Sequence, residues 1–367
     1  MQRIQAYYRI ESDAADVERK AQAIAVEQSV EMPLAPIDDA YVLENVIASV
    51  GEIVALNHGQ FKARIDYGVD TVGDDVGQLF NVLFGNCSML PGVEILDVEL
   101  PPALLARLRG PRHGINGIRK LLGVERRAIT ATALKPQGST TDKLLQLCQA
   151  MAEGGIDIIK DDHGIVDQYP HCRFAERVPA LQRCVREVSA RTGHKVIYAP
   201  NLSGDLLNML KQLELCRDEG VEMVMAPPML MGPANFNALV EQCDVPILAH
   251  PTFAGARRIA PELLFGKLLR LVGADGIIFT NYGGRFSYSL AQCTALAAAS
   301  RAPWGNIAPA MPVPAGGMTV ERVPELLATY GADTMLLIGG SLLEAGPRLR
   351  DRTQSFVDSV AACSAGG

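Results

Sequence analysis

Residues 156–163 read Ile156-Asp157-Ile158-Ile159-Lys160-Asp161-Asp162-His163, a mostly apolar run that closes on charged and polar side chains. A strand covered on both faces needs a run of this kind, because neither face alternates toward water. Seven similar runs occupy residues 128–135, 195–201, 221–227, 245–250, 276–281, 311–316 and 334–339. Between them lie stretches of helical period, among them residues 141–152, 172–191, 205–218 and 261–271. Strand then helix, eight times over, predicts an α/β fold with a closed parallel (β/α)8 TIM barrel. An open doubly wound sheet usually has fewer strands, so the strand count favours the barrel. The barrel is expected to occupy residues 111–367.

The preceding residues, 1–110, read as a smaller α+β domain. Residues 5–10 and 93–99 look like strands, 14–27 and 76–84 like helices, and 51–56 with 61–67 like a hairpin across Asn57-His58-Gly59. The net charge of −7 supplies no basic field for nucleic acid or an anionic membrane. No apolar run reaches the roughly 18 residues of a membrane span. Polar residues stand where a signal peptide needs an apolar stretch, so a cytoplasmic location is expected. The eight cysteines are scattered, with no CxxC pair, and read as reduced thiols rather than a zinc site or a disulfide framework.

In such a barrel the active site lies at the C-terminal ends of the strands, so the residues closing each run are the candidates. These are Lys135-Pro136, Lys160-Asp161-Asp162-His163, Asn201, His250-Pro251, Asn281-Tyr282, Gly316-Gly317 and Gly339-Gly340-Ser341. Glycine pairs after the last two strands suit a phosphate site, since backbone N–H groups approach an anion where no Cβ intervenes; as plain turn glycines they would mean nothing. Lys160 and Asp162 are two apart on a strand and share a face. They are either an ion pair or, with Lys160 carbamylated by CO2, oxygen ligands for a hard ion such as Mg2+. Lys135 is either a proton carrier, a cation beside an enolate, or a solvated lysine. His250 is either a phosphate ligand, a proton shuttle or a structural histidine.

Taken in order, these residues resemble the ribulose-bisphosphate carboxylase (RuBisCO) superfamily, and in particular its non-carboxylating RuBisCO-like proteins. The resemblance rests on Glu27-Gln28-Ser29, Gly85-Asn86, Lys135-Pro136, the string Gly154-Gly155-Ile156-Asp157-Ile158-Ile159-Lys160-Asp161-Asp162, His250-Pro251, Gly316-Gly317-Met318 and Gly339-Gly340. It implies a carbamylated Lys160 binding Mg2+ with Asp162 and the next residue, His163. It implies a substrate phosphate on Gly317, Gly339 and Gly340, and Lys135 acting on an enediolate. It further implies a homodimer whose active site lies at the subunit interface, with Glu27 and Asn86 reaching in from the partner.

Two departures bear on activity. His163 stands where carboxylases have Glu, and the loop Tyr282-Gly283-Gly284-Arg285-Phe286 lacks the lysine they carry after strand six. The resemblance therefore does not extend to carboxylation. The methionine-salvage enolases of the family use the lysine of a Gly-Pro-Lys-Phe-Gly motif as base, whereas this chain has Gly110-Pro111-Arg112-His113-Gly114. Arginine is a poor base, so Arg112 is expected to bind substrate, with His113 the remaining candidate acceptor. The resemblance leaves an isomerase converting 5-methylthioribulose 1-phosphate to 1-methylthioxylulose 5-phosphate through enediolates, a reaction of methionine and S-adenosylmethionine salvage. A decarboxylase of a 3-oxo-sugar-acid phosphate and 2,3-diketo-5-methylthiopentyl-1-phosphate enolase are the alternatives.

Overall fold

Alternation along β1 (Arg3–Glu11) buries Ile4, Ala6, Tyr8 and Ile10 on one face, as the two-residue period of a strand requires. With β2 (Ser49–Asn57), β3 (Gln60–Gly68) and β4 (Val93–Glu99) it forms an antiparallel sheet in the order β2-β3-β1-β4. The β2–β3 hairpin turns at His58-Gly59, between the paired residues Asn57 and Gln60. Helices Val17–Glu27 and Val76–Phe84 bury their apolar stripes with this sheet in one core. The structure is a computed structural model that describes residues 2–168, 170–256, 258–284, 286 and 288–365.

All eight apolar runs become parallel strands: β5 (Ile129–Leu134), β6 (Ile158–Asp161), β7 (Ile197–Ala199), β8 (Val224–Ala226), β9 (Ile247–Ala249), β10 (Gly276–Thr280), β11 (Met311–Ala315) and β12 (Met335–Leu337). Their order is β7-β6-β5-β12-β11-β10-β9-β8. The ring closes through one parallel bridge, Asn201 to Met225, with Leu202 N–H donating to Met225 O at 2.8 Å. Register fixes which side chains point inward. Ile129, Ala131, Ile158, Ile197, Met225, Leu248, Ile278 and Val313 fill the barrel, and helix Gly114–Leu122 closes its N-terminal end with Ile115, Ile118 and Leu122. That helix is held there by Gly114 N–H on Asp275 Oδ1 at 2.7 Å and Ile115 N–H on Pro309 O at 3.2 Å.

The predicted helix over residues 261–271 is interrupted by a wide turn at Leu264–Leu268. Gly266 in that turn lies so close to Ala299 that a Cβ would sit 2.5 Å from the alanine methyl. The two sheets meet where β4 bridges to Ile259: Ala260 N–H donates to Ile95 O at 2.9 Å, and Lys267 Nζ lies 2.6 Å from Asp97 Oδ1. No helix among the described residues is long and apolar enough to cross a membrane.

Candidate active site

Because Ala133 pairs with Lys160 and Lys160 with Ala199, Lys160 continues the inward-facing column of Ile158 into the C-terminal mouth. It is 2 % exposed, and its Nζ donates to Asp161 O at 2.8 Å. Burial, together with the charge of Lys135, outweighs the attraction of Asp162 and pulls its pKa down to about 8. Asp162 lies at the same mouth. Its Oδ1 is 2.7 Å from Lys135 Nζ and 3.6 Å from His163 Nδ1. Burial opposes its ionisation, but hydrogen bonds from His163 and Lys135 and the nearby lysine charges prevail and hold it well below the ordinary carboxylate range.

His250, at the end of β9, stacks on His163 with ring centroids 4.3 Å apart and planes 18° off parallel. Its Nδ1 accepts from the backbone N–H of Thr252 at 3.2 Å and lies 2.6 Å from Thr252 Oγ1. A ring nitrogen that accepts a backbone N–H carries no proton, so Nε2 is the protonated nitrogen of the neutral ring. Burial first, then Lys160 and His163, push its pKa down to about 2, so the ring is neutral at physiological pH.

Beneath this cluster lies a second, fully buried layer. Asp161 points away from the mouth and accepts from Tyr198 Oη at 2.8 Å, Arg177 Nε at 3.2 Å and Asn201 N–H at 3.1 Å. Arg177, from helix Phe174–Thr192, also donates to Val166 O and Cys172 O, each at 3.1 Å. Asn201 Nδ2 donates to His163 O at 3.1 Å and Ile165 O at 3.3 Å. The loop that carries His163 is thus clamped from β7 and from the helix that follows it.

The glycine pairs divide. Gly317 has φ +67°, and a Cβ there would lie 2.3 Å from Gly284 Cα. Its glycine is required by the close pass of the loops after β10 and β11. A Cβ on Gly339 would lie 3.8 Å from Lys135 Cε, whereas the space beside Gly340 is open. Of the two, Gly339 borders the Lys135 side chain.

The structure does not bring Arg112 to this mouth. Its guanidinium donates to Cys243 O at 2.9 Å and pairs with Asp244 at 3.0 Å, residues that precede β9. His113 N–H donates to Asp275, just before β10, at 2.6 Å. Both residues therefore sit at the N-terminal end of the barrel, opposite the strand ends, which corrects the expectation that Arg112 binds substrate or that His113 serves as a base. Glu27 and Asn86 do come together in the N-terminal region, Asn86 Nδ2 donating to Glu27 Oε1 at 3.0 Å and to Glu31 Oε1 at 3.2 Å. Of the loop read as lacking a lysine, Arg285 lies outside the described residues.

Residues 114–344 match the family model for the ribulose bisphosphate carboxylase large chain, catalytic domain. The chain belongs to the RuBisCO large-chain family. Within it, the chain is 47 % identical over 367 residues to the 5-methylthioribulose-1-phosphate isomerase of Rhodospirillum rubrum, covering 100 % of this chain and 98 % of that one. It is 29 % identical over 358 residues to the 2,3-diketo-5-methylthiopentyl-1-phosphate enolase of Geobacillus kaustophilus, covering 90 % and 85 % of the two chains. A crystal structure of the RuBisCO-like protein from Rhodopseudomonas palustris superposes with a TM-score of 0.91 at 46 % identity, covering 98 % of each chain. Among the site residues of this RuBisCO-family chain, sequence reasoning missed Arg177 and Tyr198, and it named Asp161 as a strand-end candidate without a role. The one available signal was Asp161 itself, a charge at an outward position of a strand covered on both sides.

Proposed function

We propose that the chain isomerises 5-methylthioribulose 1-phosphate to 1-methylthioxylulose 5-phosphate, moving a carbonyl along the sugar by two enolisations. The observation that carries this reading is the convergence of Lys135, Lys160, Asp162, His163 and His250 at one barrel mouth. Full-length likeness to a protein named for that activity supports it.

Among the described residues, no three His, Cys, Asp or Glu side chains converge as a metal site. Asp162 and His163 supply two donors 3.6 Å apart, so the residues fit a divalent ion when Lys160 is carbamylated to give the third. A lysine with its pKa lowered to about 8 reaches the neutral amine that attacks CO2, forming the N–C bond with release of one proton. A Mg2+ held by these three residues would polarise the ketone and stabilise the developing enediolate. The protein's own groups do the rest. Lys135, a cation at the mouth, faces the oxygen on which charge develops. His250 offers a neutral Nε2–H, which donates to an oxygen rather than binding phosphate as a cation. Gly339 and Gly340 offer an unobstructed backbone to the phosphate. In a homodimer, the linked Glu27–Asn86 pair completes the site from the other subunit.

The test is incubation of the purified protein with 5-methylthioribulose 1-phosphate, Mg2+ and bicarbonate, followed by NMR. Formation of 1-methylthioxylulose 5-phosphate, lost in Lys160→Ala, is expected. Release of CO2 from a 3-oxo-sugar-acid phosphate with no isomerised pentulose would sink the proposal in favour of the decarboxylase.

A further inference from the structure

The turn that holds His250 is strained at one residue. Ala254 N–H donates to Pro251 O at 3.0 Å, closing a four-residue turn over Thr252 and Phe253. Phe253, third in that turn, has φ +68°. A turn with positive φ at its third position calls for glycine or asparagine, because Cβ meets the backbone there, and an aromatic side chain is a true outlier. Only Glu31 shares this conformation among the described non-glycine residues.

Burial does not offset the strain, because Phe253 is 54 % exposed. The ring must therefore be used outside the folded chain's own core. Its place narrows the use. The preceding residue, Thr252, gives both its N–H and its hydroxyl to His250 Nδ1, so the turn that follows the C-terminal end of β9 carries both the site histidine and Phe253. The charged and polar groups of the barrel mouth answer to the sugar oxygens and the phosphate, and none of them answers to an apolar substituent.

We propose that Phe253 is a specificity residue whose ring meets the thioether end of the substrate, an apolar and polarisable group that aromatic rings accept. This deepens the isomerase reading and rests on it. Glycine would satisfy the turn but add freedom to the unfolded chain, so Phe253→Asn is the cleaner probe: it tolerates positive φ and lacks the ring.

The measurement pairs kcat/KM for 5-methylthioribulose 1-phosphate with the inhibition constant of ribulose 1-phosphate, which carries a hydroxyl where the substrate carries methylthio. Phe253→Asn is expected to melt at or above the wild-type temperature and to keep the wild-type molecular mass. Its kcat/KM should fall about tenfold or more, the usual worth of one apolar group in a pocket, with the inhibition constant nearly unchanged. Phe253→Leu, which keeps an apolar side chain, should retain most of the activity. Equal weakening toward both compounds, no weakening, or dissociation of the oligomer would overturn the inference while leaving the isomerase in place. A wild type that fails to turn over the methylthio substrate would overturn the isomerase reading itself and this inference with it.

Discussion

At the scale of single residues, Lys160 is the side chain whose burial costs the fold most visibly. Its folded pKa of about 8 lies below the roughly 10.4 of a free lysine. Between those values the unfolded chain binds a proton that the native chain has released, so stability rises as pH climbs from about 8 to about 10.4. The urea midpoint should rise over that window in the wild type, and the rise should be smaller in Lys160→Met. Near pH 7 the methionine variant should melt above the wild type, because it removes a buried ammonium, and should be inactive. The glycines give a second contrast. Gly317→Ala, with a Cβ pressed on Gly284, should lower the melting temperature. Gly340→Ala, in open space, should leave it unchanged and raise KM if the phosphate sits where proposed. An unchanged KM would remove Gly340 from the site.

Among elements, β6 explains what could and could not be read from sequence. The barrel strands were legible because burial on both faces forces continuous apolar runs, and each run contains its strand. The runs overshoot by a few residues, as at 195–201 against Ile197–Ala199, where Pro200 has no N–H for the ladder and Asn201 keeps only an isolated bridge to Met225. That Lys160 and Asp162 share a face was legible from their spacing. Asp161 between them was not, because its meaning depends on Arg177, Tyr198 and Asn201, which reach it from other elements. Arg112 was misplaced for a related reason: a motif before the first barrel strand does not say which end of the barrel it closes. The Asp161–Arg177 pair is fully buried on both sides. Arg177→Met should therefore cost about 3–5 kcal/mol by leaving a buried carboxylate unpaired. Tyr198→Phe should cost about 1–2 kcal/mol, since only one hydrogen bond is lost. Denaturant unfolding checks both, and equal small losses would mean that the layer beneath the mouth does not act as a unit.

At the scale of the whole molecule, the barrel is joined to an N-terminal region whose Glu27 and Asn86 are bonded to each other. If these residues serve the other subunit's site, Glu27→Ala and Lys160→Ala should each be nearly inactive as homodimers, and mixed dimers should regain one of two sites. No recovery on co-expression would place Glu27 outside the active site. The most direct test of the central claim is to incubate the protein in D2O with 5-methylthioribulose 1-phosphate, Mg2+ and bicarbonate and to follow the carbon-bound protons by NMR. Deuterium is expected to enter the sugar carbons as 1-methylthioxylulose 5-phosphate accumulates, and both are expected to be lost in Lys160→Ala. Neither deuterium uptake nor isomerised product, in protein that is folded and supplied with metal and CO2, would contradict the claim.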